Sequence, residues 1–197
     1  MNDAELVALS RTGDIDAFNR LVERHQGQVY NLAFRMLGDR GAAEDATQEA
    51  FFAAWRAIRS LRGANFRSWL LRIAVNACYD ALRKRQRPRA ASLEQLAEAE
   101  VSPLEVADPS ETPEQYAERR ELAHLIQRGL ASLPPDQRAA VVLSDVQGFT
   151  YEEIADITRA NLGTVKSRLS RGRAALRDFL TQYRELLPGK ARLTNRG

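Results

Sequence analysis

LPPDQRAAVVLSDVQGFTYEEIADITRANLGTVKSRLSRGRAALRDFL, residues 133–180, decides the fold, and it reads as two short helices feeding a longer, strongly basic one. Thr150 and Glu153 have the spacing of a capping box, in which the hydroxyl serves one orphan amide of a new helix and the carboxylate another, so a helix is expected from Tyr151. Asn161 can cap the next helix, which leaves the ITRAN segment as a tight turn with no room for a strand. At 100° per residue, Leu162, Val165, Leu169, Gly172 and Leu176 share one face. Lys166, Ser167, Ser170 and Arg171 share roughly the opposite one. Arg168, Arg173 and Arg177 flank that outward set. Long cations beside short hydroxyls suit a groove-reading helix, because cations neutralise phosphates while hydroxyls, Lys and Arg reach base edges. A merely solvated charged helix would account for the charge, but not for the capping box, the turn and the Ser-bearing stripe together. The segment reads as a helix-turn-helix.

Working outward from it, composition sets bounds. A chain of 197 residues holds one ordinary domain or two small ones. With 29 basic against 26 acidic residues and a pI near 9.3, the balance is compatible with a nucleic-acid partner without demanding one. The single cysteine, Cys78, excludes an intramolecular disulfide framework and a Cys-cluster metal site. No charged-then-apolar leader opens the sequence, and no apolar run approaches the roughly 18 residues of a membrane span. A soluble, cytoplasmic protein with no membrane insertion is expected.

Upstream, Phe18, Leu21, Val22, Val29, Leu32, Ala33 and Met36 recur at helical spacing up to the Gly38-Asp39 break. His25 falls on that stripe with no carboxylate or second histidine one turn away, which fits a core or boundary residue; His124 also lacks a companion. The next helix, about 41–60, carries Ala43, Thr47, Ala50, Phe51, Ala54 and Ile58 as a small-residue face for close packing. Asp45, Gln48, Glu49, Phe52 and Arg56 lie opposite, with Trp55 beside them. Aromatics on a polar face fit a protein partner, since they are enriched at interface hot spots; packing under a neighbouring helix is the alternative.

A further helix is expected over about 66–85, with Leu70, Ile73, Ala74, Ala77 and Ala81 on its apolar side and Cys78 bordering it. A second stripe holds Arg72, Asn76, Tyr79 and Arg83, with Trp69 at its edge, before the run RKRQRPR. Cations, an amide and aromatics on one face suit single-stranded DNA, where bases stack on rings and phosphates meet cations. The chain then turns acidic and proline-punctuated, as a linker does. From Glu114 an amphipathic helix carries Leu122, Leu125, Ile126, Leu130 and Leu133 and can pack under the helix-turn-helix. The tail GKARLTNRG is basic.

AEDATQEAFFAAW, FRSWLLRIAVNACYDALRKR and GFTYEEIADITRANLGTVKSRLSRGR, in that order across a linker, resemble the extracytoplasmic function (ECF) sigma factors, bacterial RNA polymerase specificity subunits. The resemblance covers nearly the whole chain. It implies an all-α chain of two small helical domains joined by a flexible acidic linker: residues 1–90 for core-polymerase docking and the minus-ten element, 91–112 as linker, 113–187 as the helix-turn-helix domain for the minus-thirty-five element, and 188–197 as a basic tail. By the resemblance Asp45, Gln48, Glu49 and Phe52 dock on the clamp helices of the largest polymerase subunit, with Trp55 alongside. Leu61 and Asn76 match minus-ten contacts, joining Trp69, Arg72, Tyr79 and Arg83. Lys166, Ser167, Ser170 and Arg171 match base-reading positions at minus thirty-five, with Arg168 and Arg173 beside them on phosphates. Leu61 stands where relatives often carry an aromatic, and the loop 63–69 is one residue shorter than in some members.

The implied function is promoter recognition in transcription initiation, reading the upstream element as duplex and helping to melt the downstream one. The implied partners are core RNA polymerase, double-stranded and melted promoter DNA, and an anti-sigma factor. No cofactor, metal or small-molecule substrate is expected, nor any enzymatic activity: no phosphate-cradling glycine loop, metal-ligand spacing, or Ser or Cys with a paired His is present. A free-standing helix-turn-helix regulator would not need the aromatic polar face at Phe52, and a nucleic-acid enzyme would need a catalytic constellation.

Overall fold

A computed structural model of the chain describes residues 1–61, 65–86 and 112–183. Every regular element among them is helical. Helix α2 (Ile15–Leu37) is capped by Asp14, whose carboxylate accepts from the Ala17 amide at 2.9 Å, and stops at Gly38 in the left-handed conformation, φ 70°. Asp39 at once caps α3 (Arg40–Ala57), accepting from the Ala42 amide at 2.7 Å. One glycine and one aspartate thus make the whole α2–α3 corner. Ala43, Ala50 and Ala54 are fully buried, so α3 lies close against α2 and α4 (Phe66–Gln86). The helix expected to run on to Ser60 instead tightens into a 3₁₀ turn, Ile58–Ser60. Cys78 sits inside this core, where burial pushes its thiol up to about 12.

Helix α1 (Asp3–Arg11) is an element the hydrophobic pattern did not reveal. Asn2 and Glu5 form a full capping box at its start, and Leu6 buries completely against the first unit. It also supplies the partner of His25, which is the boundary residue expected. No carboxylate lies one turn away on α2, but α1 brings Asp3 to 2.7 Å from the His25 Nε2, while the imidazole rests on Phe66 with ring centroids 5.3 Å apart.

The second unit begins with α5 (Pro113–Ser132), started by a Thr112/Gln115 capping box with proline at its first position. Short α6 (Pro135–Val141) runs into a π-helical turn, Val142–Val146. Both arms of the Thr150/Glu153 box form at the start of α7 (Tyr151–Thr158). The turn is shorter than the ITRAN segment, because Ile157 and Thr158 stay helical and Arg159 takes the left-handed conformation at φ 52°. Asn161 then caps α8 (Leu162–Thr181), accepting from the Thr164 amide at 2.8 Å. Gly172 is required by close approach: a Cβ there would lie 2.8 Å from Val141 Cγ2 and 3.3 Å from the Gln137 carbonyl oxygen.

The two units share one continuous buried core rather than standing apart. Helix α2 packs on α5 and α6, and α4 packs on α7. The polar reason lies at the C-terminus of α2, where the Phe34 carbonyl takes the Gly38 amide at 2.8 Å and the carbonyls after it have no partner within the helix. The buried Gln127 amide donates to the Phe34 and Arg35 carbonyls at 3.3 and 3.2 Å, and Arg138 donates to Met36 at 2.5 Å. From the first unit Arg85 donates to Leu37 at 3.1 Å. The second unit therefore caps a helix of the first. The linker expected over 91–112 lies outside the described residues except for Thr112, as does the tail expected over 188–197. Among the described residues no helix is long and apolar enough to cross a membrane, and no His, Cys, Asp and Glu group could hold a metal ion.

Candidate nucleic-acid interface

Helix α8 presents its stripes as its sequence requires. Val165, Leu169 and Gly172 are buried, whereas Lys166, Ser167, Ser170 and Arg171 are all exposed. Ser167 Oγ donates to the Thr164 carbonyl at 3.0 Å and accepts from Arg171 Nη2 at 3.2 Å, so serine and arginine form one outward-facing unit, a turn apart. Such a pair can offer a forked donor to a guanine edge.

The flanking cations behave differently. Arg168 is expected on a phosphate, yet it is half-buried, and its Nε donates to Asp136 Oδ2 at 2.9 Å. Arg173 is expected to stand on the flank with only a phosphate in reach. Instead its Nε and Nη2 fork onto Asp145 at 3.0 and 2.5 Å, Nη2 also reaches Ser144 Oγ at 3.0 Å, and Nη1 donates to the Tyr151 hydroxyl at 3.2 Å. Bonds to Asp145 and then Tyr151 push its pKa above the ordinary guanidinium value. Both corrections share a cause: carboxylates from α6 and the π turn lie within reach of the helix flanks once α8 has docked.

On α4, Asn76 is exposed, Arg72 is half-buried, and Trp69 is half-buried against Phe66 with ring centroids 5.9 Å apart. Arg83 is exposed and pairs with Asp80 one turn back. Tyr79 departs from the expected open stripe. It is half-buried, and burial raises its phenol pKa, with Arg168 lowering it and Asp136 raising it. Leu61 also differs, since it is only 5% exposed and its side chain belongs to the core instead of facing a strand. Of the loop 63–69, residues 63 and 64 lie outside the described residues.

Further residues at the domain boundary carried no sequence signal. Gln28 Nε2 donates to Gln147 Oε1 at 2.8 Å, and Arg67 donates to Gln28 Oε1 at 3.0 Å and to the Gln147 carbonyl at 3.2 Å. The Arg67 guanidinium also covers the Phe149 ring, 4.2 Å from its centroid.

On α3, Asp45, Gln48, Glu49 and Arg56 are exposed, and Phe52 is 62% exposed. The alternatives for the two aromatics divide: Trp55 is half-buried on Phe18 of α2, with centroids 4.9 Å apart, while Phe52 has no such cover. Between α2 and α3 runs a groove of about 950 Å³ whose walls include Phe18, Val22, Tyr30, Phe51 and Phe52. A smaller one of about 340 Å³ adjoins it, bounded by Asp45, Gln48, Glu49, Phe52, Trp55 and Arg56.

Two family models match the chain: Sigma-70 region 2 over residues 21–88 and Sigma-70, region 4 over residues 123–176. The chain is 41% identical over 175 residues to the ECF RNA polymerase sigma factor SigE of Mycolicibacterium smegmatis, covering 87% of this chain and 66% of that relative. It is 36% identical over 178 residues to the ECF RNA polymerase sigma-E factor of Escherichia coli, covering 89% and 93% respectively. Among solved structures it resembles CnrH in complex with the cytosolic domain of CnrY, with a TM-score of 0.66, 28% identity and coverage of 91% of this chain and 97% of that one. It also resembles the sigma factor RpoE of Bartonella quintana in complex with the anti-sigma factor NepR, with a TM-score of 0.64, 27% identity and coverage of 83% and 96%.

Proposed function

The chain belongs to the ECF sigma factors of the sigma-70 family, and on that premise we propose how its surfaces divide the work of promoter recognition and transcription initiation. Residues 1–90 serve as the polymerase-docking and minus-ten unit, 91–112 as linker, and 113–187 as the minus-thirty-five unit. Core RNA polymerase docks on α3 through Asp45, Gln48, Glu49 and Phe52, with Trp55 alongside. Lys166, Ser167, Ser170 and Arg171 read base edges of the upstream element as duplex. Trp69, Arg72, Asn76, Tyr79 and Arg83 hold the melted downstream strand. Extruding a base costs a few kcal/mol, which stacking and phosphate contacts must offset, so recognising the downstream element and melting it become one event.

The observation that carries polymerase docking is the exposure of Phe52 among polar neighbours beside an apolar groove. An aromatic left open there at a cost in hydration is best accounted for by a partner that covers it. The packing of α4 on α7, with Tyr79 half-buried, adds a step. Separation of the two units would open more of α4 to a strand, and polymerase docking on α3 supplies the occasion. An anti-sigma factor acts in the opposite sense, binding both units and covering these same faces. The chain carries out no covalent chemistry in this scheme and works with polymerase in the cytoplasm.

The test is binding of purified core polymerase to a Gln48→Ala, Phe52→Ala double variant. Association should weaken by at least ~2 kcal/mol, the scale of an interface hot spot, with the helical circular dichroism unchanged. Unaltered affinity would remove α3 as the docking face.

A further inference from the structure

Arg168 and Arg173 lie about 140° apart around α8, with the buried ridge of Val165, Leu169 and Gly172 between them. Each is tied to a carboxylate at an opposite end of the same element: Arg168 to Asp136 at the start of α6, and Arg173 to Asp145 in the π turn that ends it. The helix is therefore stayed on both flanks. The ridge alone fixes how far α8 stands from α6. Packing on α7 and α5 also holds the helix, and the ion pairs on its two flanks oppose roll about the ridge in both directions.

Rocking matters for a helix that reads bases. At a radius of about 6 Å, a roll of about 20° moves a side-chain tip by about 2 Å, enough to take a donor out of hydrogen-bond range of a base edge. We infer that Asp136 and Asp145 are positioning residues for promoter discrimination, setting the roll of α8 through Arg168 and Arg173, and that Arg173 is a stay rather than a phosphate ligand. The geometry at Arg173 is the stronger half. Its four hydrogen bonds join the π turn, α7 and α8 at one point, through Asp145, Ser144 and Tyr151. Four of its five N–H donors are committed there, so turning the fork onto a phosphate would break most of these bonds. The inference rests on the promoter-reading role proposed for α8.

Lysine separates the two roles. It keeps the charge that attracts a phosphate but lacks the planar fork that grips Asp145 while reaching Tyr151. The experiment measures holoenzyme binding to single-base variants of the upstream promoter element at several salt concentrations, for Arg173→Lys, Arg173→Gln, Asp145→Asn and Asp136→Asn. Circular dichroism and thermal midpoints check each fold. Asp145→Asn and Arg173→Lys should each reduce discrimination between the preferred element and its variants by about threefold to tenfold, with the salt slope unchanged. Their combination should be no worse than either alone, since both loosen one joint. Asp136→Asn should act in the same sense. The inference is overturned if Arg173→Lys keeps full discrimination while Arg173→Gln lowers the salt slope by about one, the signature of a phosphate contact. Full discrimination in Asp145→Asn overturns it equally. Arg171→Ala is the control on the underlying role: if it scales all promoter variants down by one factor, base reading by this face of α8 fails, and the inference goes with it.

Discussion

Arg138→Met tests whether the domain boundary is held by hydrogen bonds or by apolar contact alone. Arg138 is 7% exposed, and its guanidinium donates to the carbonyls of Met36 at 2.5 Å, Ala131 at 2.6 Å and Leu133 at 3.0 Å. Methionine fills much the same volume but leaves those acceptors empty. Ala131 is exposed, so water can replace its bond, whereas Met36 and Leu133 are buried residues. Two buried unpaired carbonyls cost about 1–3 kcal/mol each. Against this, the guanidinium itself is desolvated, as its lowered pKa shows, and Nε has no partner, so removing the charge returns part of the loss. The net expectation is destabilisation by about 2–3 kcal/mol. Urea unfolding of the full chain by circular dichroism measures it, and energy transfer between labels at Arg56→Cys and Arg177→Cys reports domain separation, because native Cys78 is too buried to label. Transfer should fall before the main unfolding transition in Arg138→Met and only partly so in Arg138→Lys, which keeps a cation without the fork. A stability within about 0.5 kcal/mol of the parent, with transfer unchanged, would refute the reasoning, since the hydrogen bonds across the boundary would then contribute nothing net.

Two further outcomes follow from local geometry. Gly172→Ala gains about 1 kcal/mol of helix propensity, but its Cβ meets Val141 Cγ2 at 2.8 Å, and Val141 is a stiff β-branched residue at 2% exposure; overpacking of about 1–3 kcal/mol should win, lowering the urea midpoint, and a raised midpoint would show that α8 can retreat from α6. Burial alone would raise the Asp3 carboxyl, but hydrogen bonds and charge from Arg24 and His25 outweigh it and hold it below the ordinary 3.8. Its folded pKa is thus depressed, so its contribution is present above that ordinary value and lost as pH falls through the folded one. With the side chain 35% exposed and screened, Asp3→Asn should cost less than about 1 kcal/mol at neutral pH, and nothing once the folded carboxyl is protonated. Denaturation series from pH 7 to about pH 2 give both values, and a penalty that persists at the acid end would contradict the assignment.

The sequence by itself determined the helices and their faces wherever the cause lay within a turn or two of chain. Thr150 with Glu153, and Asn161, each act on an amide a few residues away, so their spacing carries the whole signal. The outward stripe of Lys166, Ser167, Ser170 and Arg171 follows from helical periodicity once Val165 and Leu169 are known to pack. The exposed face of α3 was legible for the same reason. The nine-residue α1 was not, because its stripe is too short to stand out and its stability comes from packing onto α2. What only tertiary structure decided was who partners whom across long separations. Asp136 meets Arg168 over 32 positions, Asp145 meets Arg173 over 28, and Gln127 meets the carbonyl of Phe34 over 93. An arginine on a helix flank looks the same in sequence whether it will find a phosphate or a carboxylate. The choice is made when α6 and the π turn dock beside α8, and the closing of one unit over the other follows from carbonyls at the end of α2 that its own helix cannot satisfy.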